Sequence, residues 1–391
     1  MKTFFKNFHT EPINYGNASH AFYDIMKWVQ KNRPKKNPNI IMPAYIPAKL
    51  YRFVLAAGYK PKFYDVTTQL DFSIDEIEDL IDDQTQMVFA AHFFGIPTDL
   101  SPLKKLTQES DLFLFEDCAH TFNSHLNGNV LGTTGDFTIF STRKMFQYHC
   151  GGFLILNNQP WHFEPPKNKK VSSVFTGYHL LGSRVKYYLN HLSRGRNLFN
   201  KIRTPEVHYI DFDEEQTVTV KQMDRLLDIV YQHTNLEEVT AKRRENVRYL
   251  WNHIDDLKTF SPIGLERLST QITEKQNSGS NHSISKQIYQ LVDGYVPFSL
   301  PILTPPGIRN YIQHELLAKG IECYIGWTEA PFGMKWFLET EQLQMRLLEL
   351  PVHHFINPYQ LDIIANCLNN VEIPHLLDLQ SIKADRQKTM Y

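Results

Sequence analysis

The sequence is poor in cysteine. Its 391 residues hold only four, Cys118, Cys150, Cys323 and Cys367, with no close Cys pair and no Cys/His ligand spacing. A disulfide framework and a metal site are therefore not expected, and a reducing cytoplasm is the default compartment. Charge of one sign is also missing, with 41 Lys plus Arg against 42 Asp plus Glu. A nucleic-acid binder generally carries a basic excess, so no nucleic-acid partner is expected. No run approaches the roughly 20 apolar residues that span a bilayer. The N-terminal stretch MKTFFKNFHTEPINYG alternates polar and aromatic residues and lacks the apolar core of a signal peptide. A soluble, cytoplasmic protein without membrane contact is the expectation.

What is present is apolar and aromatic: 42% hydrophobic residues, with 26 Phe, 19 Tyr and 5 Trp. That suits large buried surfaces, subunit contacts included. The length fits two domains. We expect a large domain over residues 1–215, then a small α+β domain with its connecting helix over 216–391. From 16 to about 155, short apolar runs alternate with helix-like stretches. Ala18, Ala21, Phe22, Ile25, Met26 and Val29 recur at helical spacing. Strands are expected at NIIMP (39–43), 62–66, 86–91 and 112–116, and helices at 50–57, 74–81 and from 100. Ser73-x-x-Glu76 is a capping box, and Gly58 a helix stop. Such alternation implies an α/β fold with a mainly parallel central sheet between helices, and ligands at the carboxyl ends of its strands. Further on, a basic break at 165–170, a helix within 171–203 and a helical stretch over 220–254 are expected. Strands at 296–303 and 320–325, helices at 308–318 and 359–368, and a polar tail after Ile373 complete the reading.

Three constellations could carry chemistry. In Phe115-Glu-Asp-Cys-Ala-His120 an apolar strand ends in two acids. A buried carboxylate there needs a partner, although Asp117 could equally cap the next element or meet an Arg. In Phe140-Ser-Thr-Arg-Lys-Met-Phe-Gln-Tyr-His-Cys-Gly-Gly152 a lysine follows a strand. Enclosed, such a lysine loses its proton and can attack a carbonyl; exposed, it is an ordinary surface residue. The Gly151-Gly152 pair would let backbone approach a bulky ligand. Tyr15-Gly-Asn-Ala-Ser-His20 opens a helix, where free amides bind phosphate or simply receive a cap.

Together these stretches resemble the DegT/StrS-type sugar aminotransferases. Ile40-Ile-Met-Pro-Ala-Tyr45, Ala57-Gly58 and Phe63-Tyr-Asp-Val66 are similar to the family's strand-loop-helix and the "AG…PVFVDV" that follows it. Residues 91–100, AHFFGIPTDL, match its "H-x-[FY]-G-x-P-x-D" turn. Glu116-Asp-Cys-Ala-His120 matches "EDAAH", and Gly135-Asp136 with Phe140-Ser141 matches "GD…FS". The Lys144 to Gly152 spacing equals that from the family's lysine to its glycine pair. The resemblance implies pyridoxal-phosphate (PLP) transferase fold type I, and PLP bound covalently to Lys144. Asp117 would face the pyridine nitrogen, and His120 the ring or its phenolic oxygen. Ser141 with the Asn17 and Ala18 amides would hold the phosphate, and Tyr45 would lie over the ring. Glutamate would donate nitrogen to the ketone of a keto-sugar nucleotide, in a homodimer. Dehydratases of the family replace the lysine, usually by His; a non-catalytic binding relative is the other alternative. The chain departs from the pattern in having two residues fewer before Lys144, and in Arg143 beside it. His149 and Cys150 before the glycines are also unusual, and 217–220 (TVTV) has no Asn in the region of the family's "NYRM" stretch.

Overall fold

A computed structural model describes residues 1–146, 150–157, 163–165, 218, 220–223, 225–255, 260–263, 294–328 and 337–371. The helix expected within 171–203, His149, Thr217 and Thr219, the tail after Ile373 and the 215/216 boundary lie outside them.

The strands of the first half are β1 (Ile13–Tyr15), β2 (Asn39–Pro43), β3 (Lys60–Tyr64), β4 (Thr85–Ala91), β5 (Phe113–Cys118), β6 (His125–Leu126), β7 (Asn129–Val130), β8 (Phe137–Phe140) and β9 (Gly152–Leu156). β6 and β7 pair only with each other. The other seven form one sheet in the order β1-β9-β8-β5-β4-β2-β3. The β8-β5, β5-β4, β4-β2 and β2-β3 pairs are parallel, while β9 is antiparallel to both β8 and β1. One reversed strand therefore sits in an otherwise parallel sheet.

The central strands are buried on both faces, which explains their continuous apolar runs. Alternate residues feed two cores. Met42, Phe89, Phe113, Phe115 and Phe137 face α2 (Ala18–Asn32) and α3 (Ala48–Ala56). Ile41, Val88, Ala90 and Leu114 face α5 (Ser101–Glu109), α4 (Ile74–Asp79) and the C-terminal part of the chain. The capping box expected at Ser73 is half made: its side chain accepts the Glu76 amide, while Glu76 turns to the Asp65 amide. A third cluster seats the N-terminal α1 (Lys2–Phe5), through Phe4, against Phe122 and Phe140.

Beyond α6 (Thr142–Phe146) and the described gap come α7 (Arg225–His233) and α8 (Leu236–His253). The stretch read as one helix over 220–254 thus contains two. Asn235 interrupts it by accepting the Glu238 amide at 3.3 Å, a new N-cap. An antiparallel sheet of β10 (Ser261–Pro262), β11 (Ser299–Leu303) and β12 (Leu347–Pro351) packs with α9 (Arg309–Ala318), α10 (Leu338–Arg346) and α11 (Pro358–Asn369). No strand forms at 320–325, where Tyr324 makes a single bridge to Glu349. The place beside β11 belongs to β12, a short apolar run that follows α10 without a break.

Phe22 joins α2 to the sheet. It is fully buried, with ring centroids 5.0 Å from Phe89 and 4.6 Å from Phe115. Phe22→Ala should destabilise the chain by about 3–5 kcal/mol in urea unfolding. A loss under about 1 kcal/mol would show that the α2 face repacks freely.

Candidate active site

From β2 the chain steps outward to β3, then returns across β2 to β4. The connections after β2 and β4 leave in opposite directions, to β3 and to β5, which opens a crevice between them at the carboxyl ends of the strands. A cavity of about 220 Å³ occupies it, room for several waters at about 30 Å³ each. Asn17, Ala18, Asp117, His120, Ser141 and Lys144 all line it.

Lys144 lies on α6, one short turn after β8. Burial brings its amine down to about 8; Asp117 works against that fall and the neighbouring Arg143 charge adds to it. The amine meets His120, with Nζ 2.8 Å from Nε2. The Phe94 amide donates to His120 Nδ1 at 3.1 Å. Burial and the Lys144 charge hold His120 well below its usual range, so the ring is neutral. A neutral imidazole carries one proton, and with Nδ1 accepting, that proton is on Nε2. Nε2–H then points at Nζ, and only an unprotonated amine can accept from it. The pair favours the nucleophilic form of the lysine.

The His120 ring is itself fixed. Phe298 stacks on it at 4.3 Å and 5°, while Phe94 and Trp327 lie nearly parallel to it at about 6 Å. Phe94 adopts a left-handed backbone (φ 56°) that aims its amide at the imidazole. Gly95 follows because a Cβ there would meet the Val296 carbonyl at 2.4 Å.

Asp117, next to the last residue of β5, receives the Ala119 amide at 2.7 Å. Burial raises its pKa, and the Lys144 charge opposes the rise. Its neighbour Glu116 points the other way and does a different job. Burial would raise Glu116, but His92 at 3.0 Å and the Gly135 and Gly132 amides at 2.7 Å hold its carboxyl below the usual range. It knits the 132–135 turn to β5. Donor atoms of His92, Glu116 and Cys118 lie within 4.8 Å of one another, yet Glu116 is already saturated by hydrogen bonds.

At the other end of the cavity Asn17 caps α2, its side chain accepting the Ser19 amide at 3.1 Å. The Asn17 and Ala18 amides have no hydrogen-bond partner among the described residues. Ser141 also lines the cavity, and a helix N-terminus with free amides can seat an anion. The glycine pair acts differently from the expectation. A Cβ on Gly152 would fall 2.4 Å from the Ala18 nitrogen, and one on Gly151 would fall 2.2 Å from Thr142 Oγ1. Both make room for protein backbone and side chains.

Tyr45 does not reach the cavity. It is fully buried behind the wall, packed on Phe93 and Trp327, which do line it. The loop after β2 turns the ring into the core beneath them. Trp327, Phe93 and Lys49 are lining residues that the sequence reading missed. Phe93 stood inside a quoted motif. Trp327 had no local signal.

Residues 4–162 match the DegT/DnrJ/EryC1/StrS aminotransferase family. This part of the chain is a DegT/DnrJ/EryC1/StrS aminotransferase family domain. Among relatives of the family domain, GDP-perosamine synthase of Vibrio cholerae is 29% identical over 122 residues, 30% of this chain and 33% of that protein. GDP-4-keto-6-deoxy-D-mannose 3-dehydratase of Yersinia pseudotuberculosis is 26% identical over 137 residues, 34% of each. These matches span about a third of the relatives' length. The structural likeness extends further. An aminotransferase of Helicobacter pylori involved in pseudoaminic acid biosynthesis aligns with TM-score 0.61 at 14% identity, covering 94% of this chain and 88% of that one. The Escherichia coli GDP-4-keto-6-deoxy-D-mannose-3-dehydratase with bound hydrated PLP aligns with TM-score 0.61 at 18% identity, covering 94% and 90%. The fold is PLP transferase fold type I. Among the described residues no helix is long and apolar enough to cross a membrane.

Because the folded chain binds the Lys144 proton more weakly than the unfolded chain, it holds fewer protons between pH 8 and the ordinary 10.5. The resulting penalty is complete at pH 7 and fades as pH rises through that window. Lys144→Met should therefore stabilise the cofactor-free family domain at pH 7, with the gain shrinking towards pH 10.5. Thermal unfolding at stepped pH checks this, and a gain independent of pH would refute it.

Proposed function

We propose that the chain is a PLP-dependent aminotransferase that passes an amino group from an amino acid, glutamate first, to a keto-sugar nucleotide. The assembly is a cytoplasmic homodimer, and the product serves surface-polysaccharide or deoxyaminosugar synthesis. The observation that carries this reading is the half-buried Lys144 amine, brought down to about 8 and set against His120, in one cavity with the Asp117 carboxylate and a helix N-terminus.

The donor set fits PLP. Two unengaged amides and a serine suit its phosphate. A raised carboxyl at Asp117 suits a protonated pyridine nitrogen, since a cation alongside returns it to the ionised form. When bound, PLP supplies an aldehyde carbon for the amino group and a cationic ring that stabilises negative charge on the substrate carbon. Asn17, Ala18 and Ser141 would bind the phosphate, and Asp117 would keep the proton on the ring nitrogen. His120 Nε2–H gives the neutral form of the Lys144 amine a donor to accept from. Lys144 Nζ would take a proton from the donor's substrate carbon and hand it to the carbon that the cofactor's aldehyde supplies. Phe93 and Trp327 exclude water from that transfer. Retention of Lys144 favours amino transfer over dehydration, for which family members exchange this lysine.

Purified protein mixed with PLP should absorb in the visible. Borohydride should then lock the cofactor to the peptide carrying Lys144, and glutamate should convert PLP to pyridoxamine phosphate. Lys144→Ala should cut transamination on the order of 10²–10⁴-fold or more. Protein that stays colourless with PLP would favour a binding role, and a reducible adduct in Lys144→Ala would overturn the assignment.

A further inference from the structure

Arg243, on α8, is almost fully buried and lies nearly a hundred residues from the lysine in sequence. Its guanidinium donates to three carbonyls on two separate segments. Nη2 reaches the Met145 oxygen at 2.6 Å, and Nη1 reaches Pro297 at 3.1 Å and Phe298 at 2.9 Å. No carboxylate pairs with it among the described residues, and its Nε has no partner. Burial brings the guanidinium down to about 9. A buried cation without an acid is costly unless its donors are used, and here they are used on backbone oxygens.

The two segments stand directly behind the Lys144 and His120 side chains that line the candidate site. Met145 is the residue after Lys144. Phe298 is the plate stacked on His120, and its own amide donates to the Phe94 carbonyl at 2.8 Å. Phe94 in turn fixes His120 Nδ1. One side chain therefore ties the turn that carries the amine to the segment that holds its imidazole partner. Methionine or leucine could fill that volume. Only a planar fork of donors can bind carbonyls on both segments at once.

We infer that Arg243 is a positioning residue: by clamping the 145 and 297–298 carbonyls together it sets the distance between Lys144 Nζ and His120 Nε2. This rests on Lys144 being the reactive amine of the site. The groups that face Lys144 are Asp117 and His120 from the β5 end, Arg143 from its own turn, Glu349 from β12 and Lys49 from α3. Arg243 is not among the charges acting on Lys144, so its effect is geometric. His353 and His354, which do sense the Arg243 charge, are held to about 3 mainly by burial and stay neutral.

The test is the pH dependence of acetic-anhydride labelling at Lys144 in cofactor-free protein, read by peptide mass spectrometry. Wild type should titrate near 8. Arg243→Met should raise that value by about one unit or more towards the ordinary lysine value. Arg243→Lys keeps the charge but cannot span both segments, and it should shift at least half as far. A folded Arg243→Lys protein that titrates like wild type would overturn the inference, as would a folded Arg243→Met protein that does so. If Arg243→Met does not fold, Arg243→Lys decides alone; if neither folds, the residue serves the fold at large and the inference falls. Wild type that titrates near 8 yet never binds PLP would refute the proposed function and leave the clamp standing.

Discussion

A primary amine inside a protein has two stable conditions: charged and paired, or neutral and hydrogen-bonded. Lys144 stands near the boundary between them, with an amine brought down to about 8, and much of the site serves its neutral form. Its companion imidazole presents a proton, so a charged amine would face a donor with a donor. Keeping that arrangement requires the imidazole to stay neutral and in one tautomer. The Phe94 amide sets the tautomer, and aromatic plates exclude the water that would charge the ring. The strained turn at 93–95, the segment at 295–298 and the guanidinium beneath them converge on that one contact. Asp117 provides the counterweight, because its negative charge keeps the amine's proton affinity from falling further.

Two acids adjacent in sequence divide the labour through the alternation of a strand. Asp117 faces the cavity and keeps one amide donor. Glu116 faces inward, takes three amides and an imidazole, and stabilises a turn. Each amide to a charged acceptor contributes about 1.5–3 kcal/mol net, which offsets much of the cost of burying that charge. A carboxylate so saturated has little left for chemistry, whereas one with a single donor still has capacity for a cation.

Much of the large sheet was legible because its strands are buried on both faces and read as unbroken apolar runs bounded by turn residues. Expected strands at 39–43 and 86–91 fall within a residue of β2 and β4. Lys144, Asp117, His120, Ser141, Asn17 and Ala18 share one cavity because all stand at the same ends of that sheet. Legibility stopped where partners come from far along the chain. Trp327 lines the cavity from beyond α9, Phe298 stacks on His120 from just before β11, Arg243 reaches the Met145 carbonyl from α8, and no local period marks them. β1, with three residues, and β12, directly after a helix, were too short or too poorly bounded to read. Tyr45 was misplaced for a related reason: a motif fixes a residue's place in the chain but not the side of the loop to which its ring turns.

The reversed strand β9 has a mechanical meaning. Because it runs against β8, it begins where β8 ends, and Phe140 and Phe153 face each other across the ladder. The described ends of the connection between them, α6 and Cys150–Gly151, are thus pinned together at its neck. Lys144, four residues beyond the end of β8, has little room to wander. The sheet, by turning back once, gives its lysine a fixed address.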